Sequence, residues 1–219
     1  MTFDLRQVAA LTLDLDDTLW PVRPTLVAAE QVLAHWLQAH APDTARGMAP
    51  GAMLALRAQV AAEHPHWAHD LSAIRLETIR RALRRHGDDP ALAEAAFEVF
   101  FEARHRVTLY DDVLPGLERL AARYRLVAVS NGNAELARVG LGRWFSGSVS
   151  ARLHGVAKPD PSIFLAACGA ACAASQAARK IDGSGLATPC RRAETEPEKK
   201  RSSPIRCTSA LPLLTATSR

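Results

Sequence analysis

The sequence predicts an α/β protein whose parallel sheet is interrupted, after its first strand, by a long all-helical insertion. Three observations support this fold class. A short apolar run ends directly at a pair of carboxylates, a long stretch with helical periodicity follows, and strand–helix alternation then resumes. The chain has 219 residues, of which 48% are hydrophobic and 23% charged, enough for a real core. This composition excludes a disordered, collagen-like or disulfide-scaffold protein.

The first predicted strand is the apolar run from Val8 to Leu13, which stops at Asp14. Parallel α/β sheets present ligands at the carboxyl ends of their strands, so a strand that ends at carboxylates fits this fold. From about Pro24 to His105 apolar residues recur at helical spacing, and prolines separate the runs. We expect roughly four helices in this segment and no strand.

After the insertion, strands and helices alternate again. Asp160 follows Lys158-Pro159 and stands just before the last apolar helix. Aspartate is a preferred N-cap residue, so Asp160 is expected near the N-cap of that helix. The predicted elements are a helix from Pro115 to Leu120, a buried strand over 126–129, a short helix over 135–139, a third strand over 147–151 and a helix through Ile163 and Ala167. We therefore assign residues 1–20 and 108–174 to the α/β core and residues 21–107 to the insertion.

The last segment, residues 175–219, differs in composition from the rest of the chain. It carries nine Lys and Arg against four Asp and Glu, so the net charge of +4 belongs to this tail and the body is close to neutral. The tail is basic and rich in Ser and Pro, which predicts disorder. A change of reading frame near residues 173–180 is the alternative. Either way, we expect the C-terminal part of the core to be incomplete.

Several classes of protein are disfavoured by the same sequence. No apolar run reaches the roughly 18–20 residues that span a bilayer, and no secretory signal is evident, so we expect a cytoplasmic protein without a membrane partner. The neutral body disfavours nucleic acid as a partner. The four cysteines show no C-x-x-C spacing and are interpreted as reduced thiols. A monomer and a homodimer both remain open.

The clearest chemical signal is Asp14-Leu-Asp16-Asp-Thr18, directly after the first strand. Two carboxylates two residues apart can divide labour: one attacks an electrophile or binds a metal, and the other transfers protons. Carboxylates held close together favour a bound hard cation such as Mg²⁺. Taken alone, the triplet is also compatible with an acidic turn or a helix N-cap.

Two further signals follow later strands. Ser130-Asn131-Gly132 ends the second buried strand, where a hydroxyl and an exposed backbone N–H suit an anionic oxygen. Lys158 stands in Lys-Pro-Asp-Pro, where prolines stiffen the backbone around one cation. Each signal alone also describes an ordinary turn or a solvated lysine. Their equivalent places at the ends of successive strand–helix units favour one shared site.

These three segments together resemble motifs of the haloacid dehalogenase-like (HAD) hydrolases. Leu13–Leu19 is similar to motif I, Val129–Gly132 to motif II and Ala157–Phe164 to motif III. The resemblance covers residues 8–172 and implies a Rossmann-like core with a helical insertion similar to the family's C1 cap. Asn131-Gly-Asn133 with the following Gly140-Leu-Gly142 is most similar to bacterial flavin mononucleotide and sugar-phosphate phosphatases.

The resemblance implies a role for each matching residue. Asp14 would be the nucleophile that forms an aspartyl-phosphate and would also bind Mg²⁺; Asp16 would be the general acid/base, with its backbone carbonyl on the metal. The phosphoryl oxygens would be held by Thr18, Ser130, Asn131, Gly132 and Lys158. The implied activity is Mg²⁺-dependent hydrolysis of a small phosphorylated metabolite. Family members that cleave carbon–halogen bonds lack a carboxylate at the position of Asp16, which argues against a dehalogenase.

One family feature is not matched. The fourth motif, an apolar strand ending in Gly-Asp with a further acidic residue, is expected 15 to 25 residues after Lys158-Pro-Asp-Pro. Asp182 is the only carboxylate nearby, without the strand or the acidic partner, so we do not assign it as a ligand. The alternative function is therefore a catalytically impaired, truncated or frame-shifted family member that only binds phosphate-like ligands.

Overall fold

The computed structural model describes residues 8–181 and 208–209 and contains one parallel sheet. The strands are β1 (Ala10–Leu13), β2 (Arg125–Ser130), β3 (Gly147–Ser150) and the two-residue β4 (Thr208–Ser209), in the order β3-β2-β1-β4. The predicted α/β fold class is confirmed, and the three predicted strands lie where the sequence placed them, to within two residues at each end.

The strand register brings the predicted site residues to one edge of the sheet. β1 pairs with β2 from Ala10↔Arg125 to Leu13↔Ala128, and β2 pairs with β3 up to Ser130↔Ser150. All these pairings are parallel, so the carboxyl ends of the strands share one edge. The loops that follow Leu13 and Ser130 therefore start side by side.

Nine α-helices lie in residues 8–181, and five of them form the insertion between β1 and β2. No helix in that range is both long enough and apolar enough to cross a bilayer. The insertion contains α1 (Val22–His40), α2 (Pro42–Gly47), α3 (Ala52–Glu63), α4 (Leu71–His86) and α5 (Ala93–Arg104); the core contains α6 (Val113–Ala121), α7 (Leu136–Val139), α8 (Ala151–His154) and α9 (Pro161–Ile181). Three-residue 3₁₀ helices lie at Pro65–Trp67, Pro90–Leu92 and Gly142–Trp144.

The insertion holds one short helix more than the four expected, namely α2. Pro42 is expected to separate two helices, but it is the first residue of α2, because proline is tolerated in the first turn of a helix, where its missing N–H is not needed. The start of α4 follows ordinary capping rules, because the Asp70 carboxylate accepts hydrogen bonds from the Ser72 and Ala73 N–H groups at 3.1 and 3.0 Å.

The insertion has an apolar cluster of its own, separate from the core around the sheet. Because α1, α4 and α5 each present one apolar face, they pack together around it. Its buried members are Ala29, Leu33, Leu37, Ala41, Ile79, Leu83, Ala93, Ala96, Phe100 and Ala103.

Both faces of the sheet are covered, as expected for parallel strands. Leu126 and Ala128 of β2 pack on one side with α6, and Val127 and Val129 pack on the other side with α9. Successive side chains of a strand point to opposite faces, so β2 contributes to both apolar clusters. All four residues are buried, which fixes the strand whose end carries Ser130.

The last core helix, α9, begins as predicted but continues beyond the predicted end of the core at residue 174. The Asp160 carboxylate accepts a hydrogen bond from the Ser162 N–H at 2.8 Å, which confirms Asp160 near the N-terminus of this helix. The helix runs on to Ile181 because the residues around this point are mostly strong helix formers: Ala, Gln, Arg and Lys. Asp182, and with it the expected position of the fourth motif, lies outside the described residues.

His105 lies where the insertion returns to the core, and its imidazole is buried. Its Nδ1 is 2.6 Å from the Phe101 carbonyl oxygen, and its Nε2 accepts a hydrogen bond from the Glu135 N–H at 2.9 Å. Burial lowers the pKa of His105 below its ordinary value of 6.5, with the nearby Arg104 charge acting in the same direction. The folded protein therefore keeps this imidazole neutral.

We expect this histidine to make stability depend on pH. The neutral His105 contributes to the free energy of unfolding, and this contribution is fully present above pH 6.5. It is lost as the pH falls through the lowered folded-state pKa, because the unfolded chain binds the proton first. Urea unfolding at pH 8 and pH 5.5 should show a larger loss of unfolding free energy in the wild type than in His105→Gln. His35→Gln, which changes an exposed histidine of α1, serves as the control. An equal loss in all three proteins would contradict the prediction.

Candidate active site

The loop after β1 carries two partly buried carboxylates on either side of a buried leucine. Leu15 is packed in the core, while Asp14 and Asp16 are only half-buried. Asp17 adopts a left-handed conformation with φ 58°, which aspartate tolerates better than most residues. Its N–H donates to the Trp20 carbonyl at 2.8 Å, and its carboxylate accepts from the Val22 N–H at 2.8 Å. These bonds fix the turn that leads from the carboxylates into α1.

Asp14 meets the predicted lysine directly. The Lys158 Nζ lies 2.6 Å from Asp14 Oδ1 and donates a hydrogen bond to the Val129 carbonyl at 2.8 Å. The Asn131 side-chain amide makes two hydrogen bonds to the Lys158 backbone, at 2.7 Å to its N–H and 3.0 Å to its carbonyl. Asn131 therefore positions the lysine, which in turn places a positive charge against Asp14.

The loop after β2 lies against Asp16. The Ser130 hydroxyl oxygen is buried and accepts a hydrogen bond from the Gly132 N–H at 2.9 Å. A Cβ at position 132 would overlap Asp16 Oδ2 and would lie 3.3 Å from Ser130 Oγ. The structure thus joins six of the seven predicted residues into two contacting groups. Thr18 is in the same loop, but its hydrogen bond in the described residues is a backbone one, from its N–H to the Leu15 carbonyl.

Two residues that contact Asp16 were missed by the sequence analysis. The Trp20 Nε1–H donates to Asp16 Oδ1 at 2.9 Å, and Arg104 Nη2 donates to Asp16 Oδ2 at 2.8 Å and to Oδ1 at 3.2 Å. Trp20 follows the Asp-rich loop closely enough to have been considered. Arg104 is far away in sequence, beside Arg106, and no local pattern distinguishes the two arginines.

The helical insertion lies over this edge of the sheet. The Asn133 side chain, in the loop after β2, donates a hydrogen bond to the Ser72 hydroxyl at 3.0 Å, at the start of α4. Arg152 of α8 lies 3.7 Å from the Asp70 carboxylate, which caps the same helix. The N-terminal end of α4 is therefore held next to the Ser130–Asn133 loop.

A cavity of about 640 Å³ lies within the insertion, between α1, α3 and α4. Its lining includes Val22, whose N–H donates a hydrogen bond to the carboxylate of Asp17 in the loop after β1. Its lining includes Arg75, which pairs with Glu30 at 2.7 Å and stacks over the Phe100 ring at 3.6 Å. Burial lowers the pKa of Arg75. The remaining walls are mainly apolar, so the cavity suits a ligand with an apolar body.

The donors at the sheet edge fit Mg²⁺, the metal implied by the resemblance. Mg²⁺ is usually held by one or two carboxylates together with substrate phosphate oxygens and water. Asp14 presents a carboxylate that is 42% exposed, whereas the Asp16 carboxylate accepts three hydrogen bonds, two on Oδ1 and one on Oδ2, from Trp20 and Arg104. Over the described part of the chain, no three His, Cys, Asp or Glu side chains gather into a metal cage. The Asp14 carboxylate would therefore suit a site shared with substrate phosphate oxygens and water, and the resemblance implies the Asp16 backbone carbonyl as a second protein ligand.

The close approach of Asp16 to Gly132 gives a testable prediction. Gly132→Ala forces the Asp16 carboxylate to move, because the new methyl group would overlap Oδ2. The resemblance implies that Asp16 is the general acid/base, and displacing such a group by about 1 Å costs roughly 10²-fold in rate, so we expect a loss of this size in kcat/KM. Gly116→Ala is the control: its Cβ meets no atom within 4 Å and it lies inside α6, where alanine is favoured. Equal kcat/KM values for Gly132→Ala and Gly116→Ala would contradict this prediction.

The fold and this site define a class of protein. A parallel α/β core with a helical insertion after β1, and with Asp14, Ser130 and Lys158 converging at the ends of strands, is the arrangement of HAD-like hydrolases. The family model described as haloacid dehalogenase-like hydrolase matches residues 8–176. The chain belongs to this family and is a hydrolase, which confirms the family predicted from the three motifs. The match ends within α9.

The individual relatives include a phosphatase and a dehalogenase. The chain is 32% identical over 167 residues to the 5-amino-6-(5-phospho-D-ribitylamino)uracil phosphatase YigB of Escherichia coli, covering 74% of this chain and 70% of that protein. It is 38% identical to the crystal structure of a 2-haloacid dehalogenase from Pseudomonas syringae, with a TM-score of 0.69 and coverage of 75% and 73%. A magnesium-bound HAD-hydrolase, YfnB of Bacillus subtilis, shares the fold at 15% identity, with a TM-score of 0.51 and coverage of 72% and 71%.

Proposed function

We propose that the protein is a Mg²⁺-dependent phosphomonoester hydrolase that works through an aspartyl-phosphate on Asp14. The observation that carries this proposal is the pair of carboxylates with separate surroundings. Asp14 is paired with Lys158, whose positive charge would offset the repulsion between the Asp14 carboxylate and an anionic phosphoryl group. Asp16 lies against Gly132 and accepts hydrogen bonds from Trp20 and Arg104. Two carboxylates in different environments can take the different roles of nucleophile and acid/base.

The reaction proceeds in two displacements. The Asp14 carboxylate attacks phosphorus, the bond from phosphorus to the ester oxygen breaks, and Asp16 gives its proton to that oxygen, so an alcohol leaves. Asp16, now a carboxylate, takes a proton from a water molecule whose oxygen attacks the aspartyl-phosphate. Inorganic phosphate leaves, and both Asp14 and the protonated Asp16 are restored.

The remaining residues position the phosphoryl group and balance its charge. Lys158 places a cation between Asp14 and the phosphoryl oxygens, and the Ser130 hydroxyl and the Gly132 turn offer further hydrogen-bonding groups. When bound, Mg²⁺ would neutralise part of the charge on the transferring group.

The substrate class is a small phosphorylated metabolite, such as flavin mononucleotide, a phosphorylated flavin precursor or a sugar phosphate. The phosphatase relative acts, by its name, on a phosphorylated ribitylaminouracil, and 32% identity over most of both chains supports a substrate of this kind. The cavity between α1, α3 and α4 agrees with a leaving group that has an apolar body.

A haloacid dehalogenase is the second candidate, favoured by the 38% identical structure from Pseudomonas syringae. Asp16 argues against it. A halide ion leaves without a proton, so a dehalogenase needs no general acid at the departing atom, whereas an alkoxide leaving group does, and Asp16 can supply that proton. The third candidate, an impaired protein that only binds phosphate-like ligands, rests on the unmatched fourth motif.

One experiment separates the three candidates. Phosphate release is measured from flavin mononucleotide and p-nitrophenyl phosphate, with Mg²⁺ and with a chelator, beside chloride release from 2-chloropropionate. We expect phosphate release that requires Mg²⁺ and no chloride release. Chloride release without phosphate release would establish the dehalogenase. Neither product from folded protein would establish the impaired family member.

A further inference from the structure

Arg104 is a buried cation whose described hydrogen bonds all go to one group. Its side chain is 3% exposed, and its Nη2 donates to both oxygens of Asp16. Its Nε and Nη1 are buried and have no hydrogen-bond partner in the described part of the protein. A buried guanidinium with unpaired donors is costly, so its position needs a specific explanation.

The structural setting explains the position of Arg104 only in part. It is the last residue of α5, where the helix dipole favours a positive charge. The dipole does not require the guanidinium to turn toward the core and away from water. Only the Asp16 carboxylate accounts for that direction among the described contacts.

We propose that Arg104 is a positioning residue, which together with Trp20 orients the Asp16 carboxylate for proton transfer to the leaving group. This inference rests on the proposed phosphatase function and adds a residue to its machinery. Trp20 holds Oδ1 and Arg104 holds mainly Oδ2, so the carboxylate cannot rotate freely about its own axis. Gly132 leaves room for Oδ2 beside the Ser130 hydroxyl, on the side where the phosphoryl group would bind.

Oxygen Oδ2 keeps a free lone pair in this arrangement. A carboxylate offers about four acceptor positions, and the described donors use three of them, two on Oδ1 and one on Oδ2. The remaining position on Oδ2 is available for the proton that passes to and from the reacting oxygen. Arg104 thus fixes which oxygen performs the transfer.

The ion pair between Arg104 and Asp16 also connects the insertion to the core. Asp16 belongs to the loop after β1, and Arg104 belongs to α5, so the orientation of Asp16 depends on where the insertion lies. Arg138 of α7 also connects the core to α5 of the insertion, because it forms ion pairs with Glu98 and Glu102. Arg138 does not contact Asp16 in any described hydrogen bond or ion pair and therefore provides a matched control.

The test uses leaving groups that differ in their need for a proton. The alkoxide of flavin mononucleotide must be protonated as it leaves, whereas p-nitrophenolate leaves without help. We expect Arg104→Gln to lower kcat/KM for flavin mononucleotide by about 10²-fold and for p-nitrophenyl phosphate by less than about 10-fold. Arg104→Lys should show the same selective loss to a smaller degree. Arg138→Gln should leave the ratio of the two rate constants unchanged.

Each outcome decides the inference. Equal losses on both substrates, or a ratio that shifts as much in Arg138→Gln, would show that Arg104 has only a structural role. If the wild type hydrolyses neither substrate, the proposed function fails and this inference fails with it. Thermal unfolding followed by circular dichroism identifies any variant that does not fold. Should Arg104→Gln not fold, Arg104→Lys decides by the same ratio, and an unchanged ratio overturns the proposal.

Discussion

Asp14→Asn is expected to abolish phosphate release, lowering kcat on the order of 10⁴-fold or more, as loss of a covalent nucleophile does in other hydrolases. An amide cannot form the acyl-phosphate, and it also removes the charge that pairs with Lys158 at 2.6 Å. The pair is partly exposed, so we expect the free energy of unfolding to change by less than about 1 kcal/mol. A phosphate-release assay and a urea titration check the two halves of this expectation.

The neighbouring carboxylate supplies the control. Asp17→Asn removes the same charge three residues after Asp14, and asparagine tolerates the left-handed backbone at this position. Its side-chain oxygen can still accept the hydrogen bond from the Val22 N–H. We expect this variant to keep most of the wild-type activity. An Asp14→Asn protein that kept a tenth or more of the activity would show that Asp14 is not the nucleophile.

Lys158→Met should have the next largest effect, a loss of roughly 10²–10³-fold in kcat. Methionine keeps the apolar length of the side chain and removes the only cation that contacts Asp14 in the described residues. The Asn131 side chain bonds to the backbone of residue 158, so the loop should keep its shape in the variant. The loss is therefore expected to follow from removal of the ammonium group, with its charge at Asp14 and its hydrogen bond to the Val129 carbonyl.

Steady-state kinetics with p-nitrophenyl phosphate measures this loss, because that substrate needs no proton from Asp16. Arg123→Met removes an exposed cation outside the site and should leave kcat unchanged. A Lys158→Met protein with near-normal kcat and only a raised KM would contradict the prediction. Such a result would mean that the lysine contributes to binding equally in the ground state and the transition state.

The sequence predicted the strands and the residues that stand at their ends, because both signals are local. Asp14 and Ser130 each follow directly on a buried apolar run, and Lys158 is framed by prolines. The contacts of Arg104 could not be predicted in this way. Its partner Asp16 is 88 residues away in sequence, and only the packing of the insertion on the core brings them together.

Helix boundaries were less predictable where the same residue type can end one helix or begin the next. Pro42 separates two helical runs in the sequence, and it is also the first residue of α2. The predicted core ends near residue 174, where the composition changes, and α9 crosses this position because the sequence stays rich in alanine on both sides of it. Local helix propensity determined the structure there.

The separate apolar cluster of the insertion has a consequence for how the chain folds. β1 and β2 are neighbours in the sheet but are separated in sequence by the whole insertion, and closing so long a loop is entropically costly. The contacts among α1, α4 and α5 are more local and can form earlier. We expect the insertion to fold first and to bring the two strands together, so that helical signal returns before enzymatic activity during refolding.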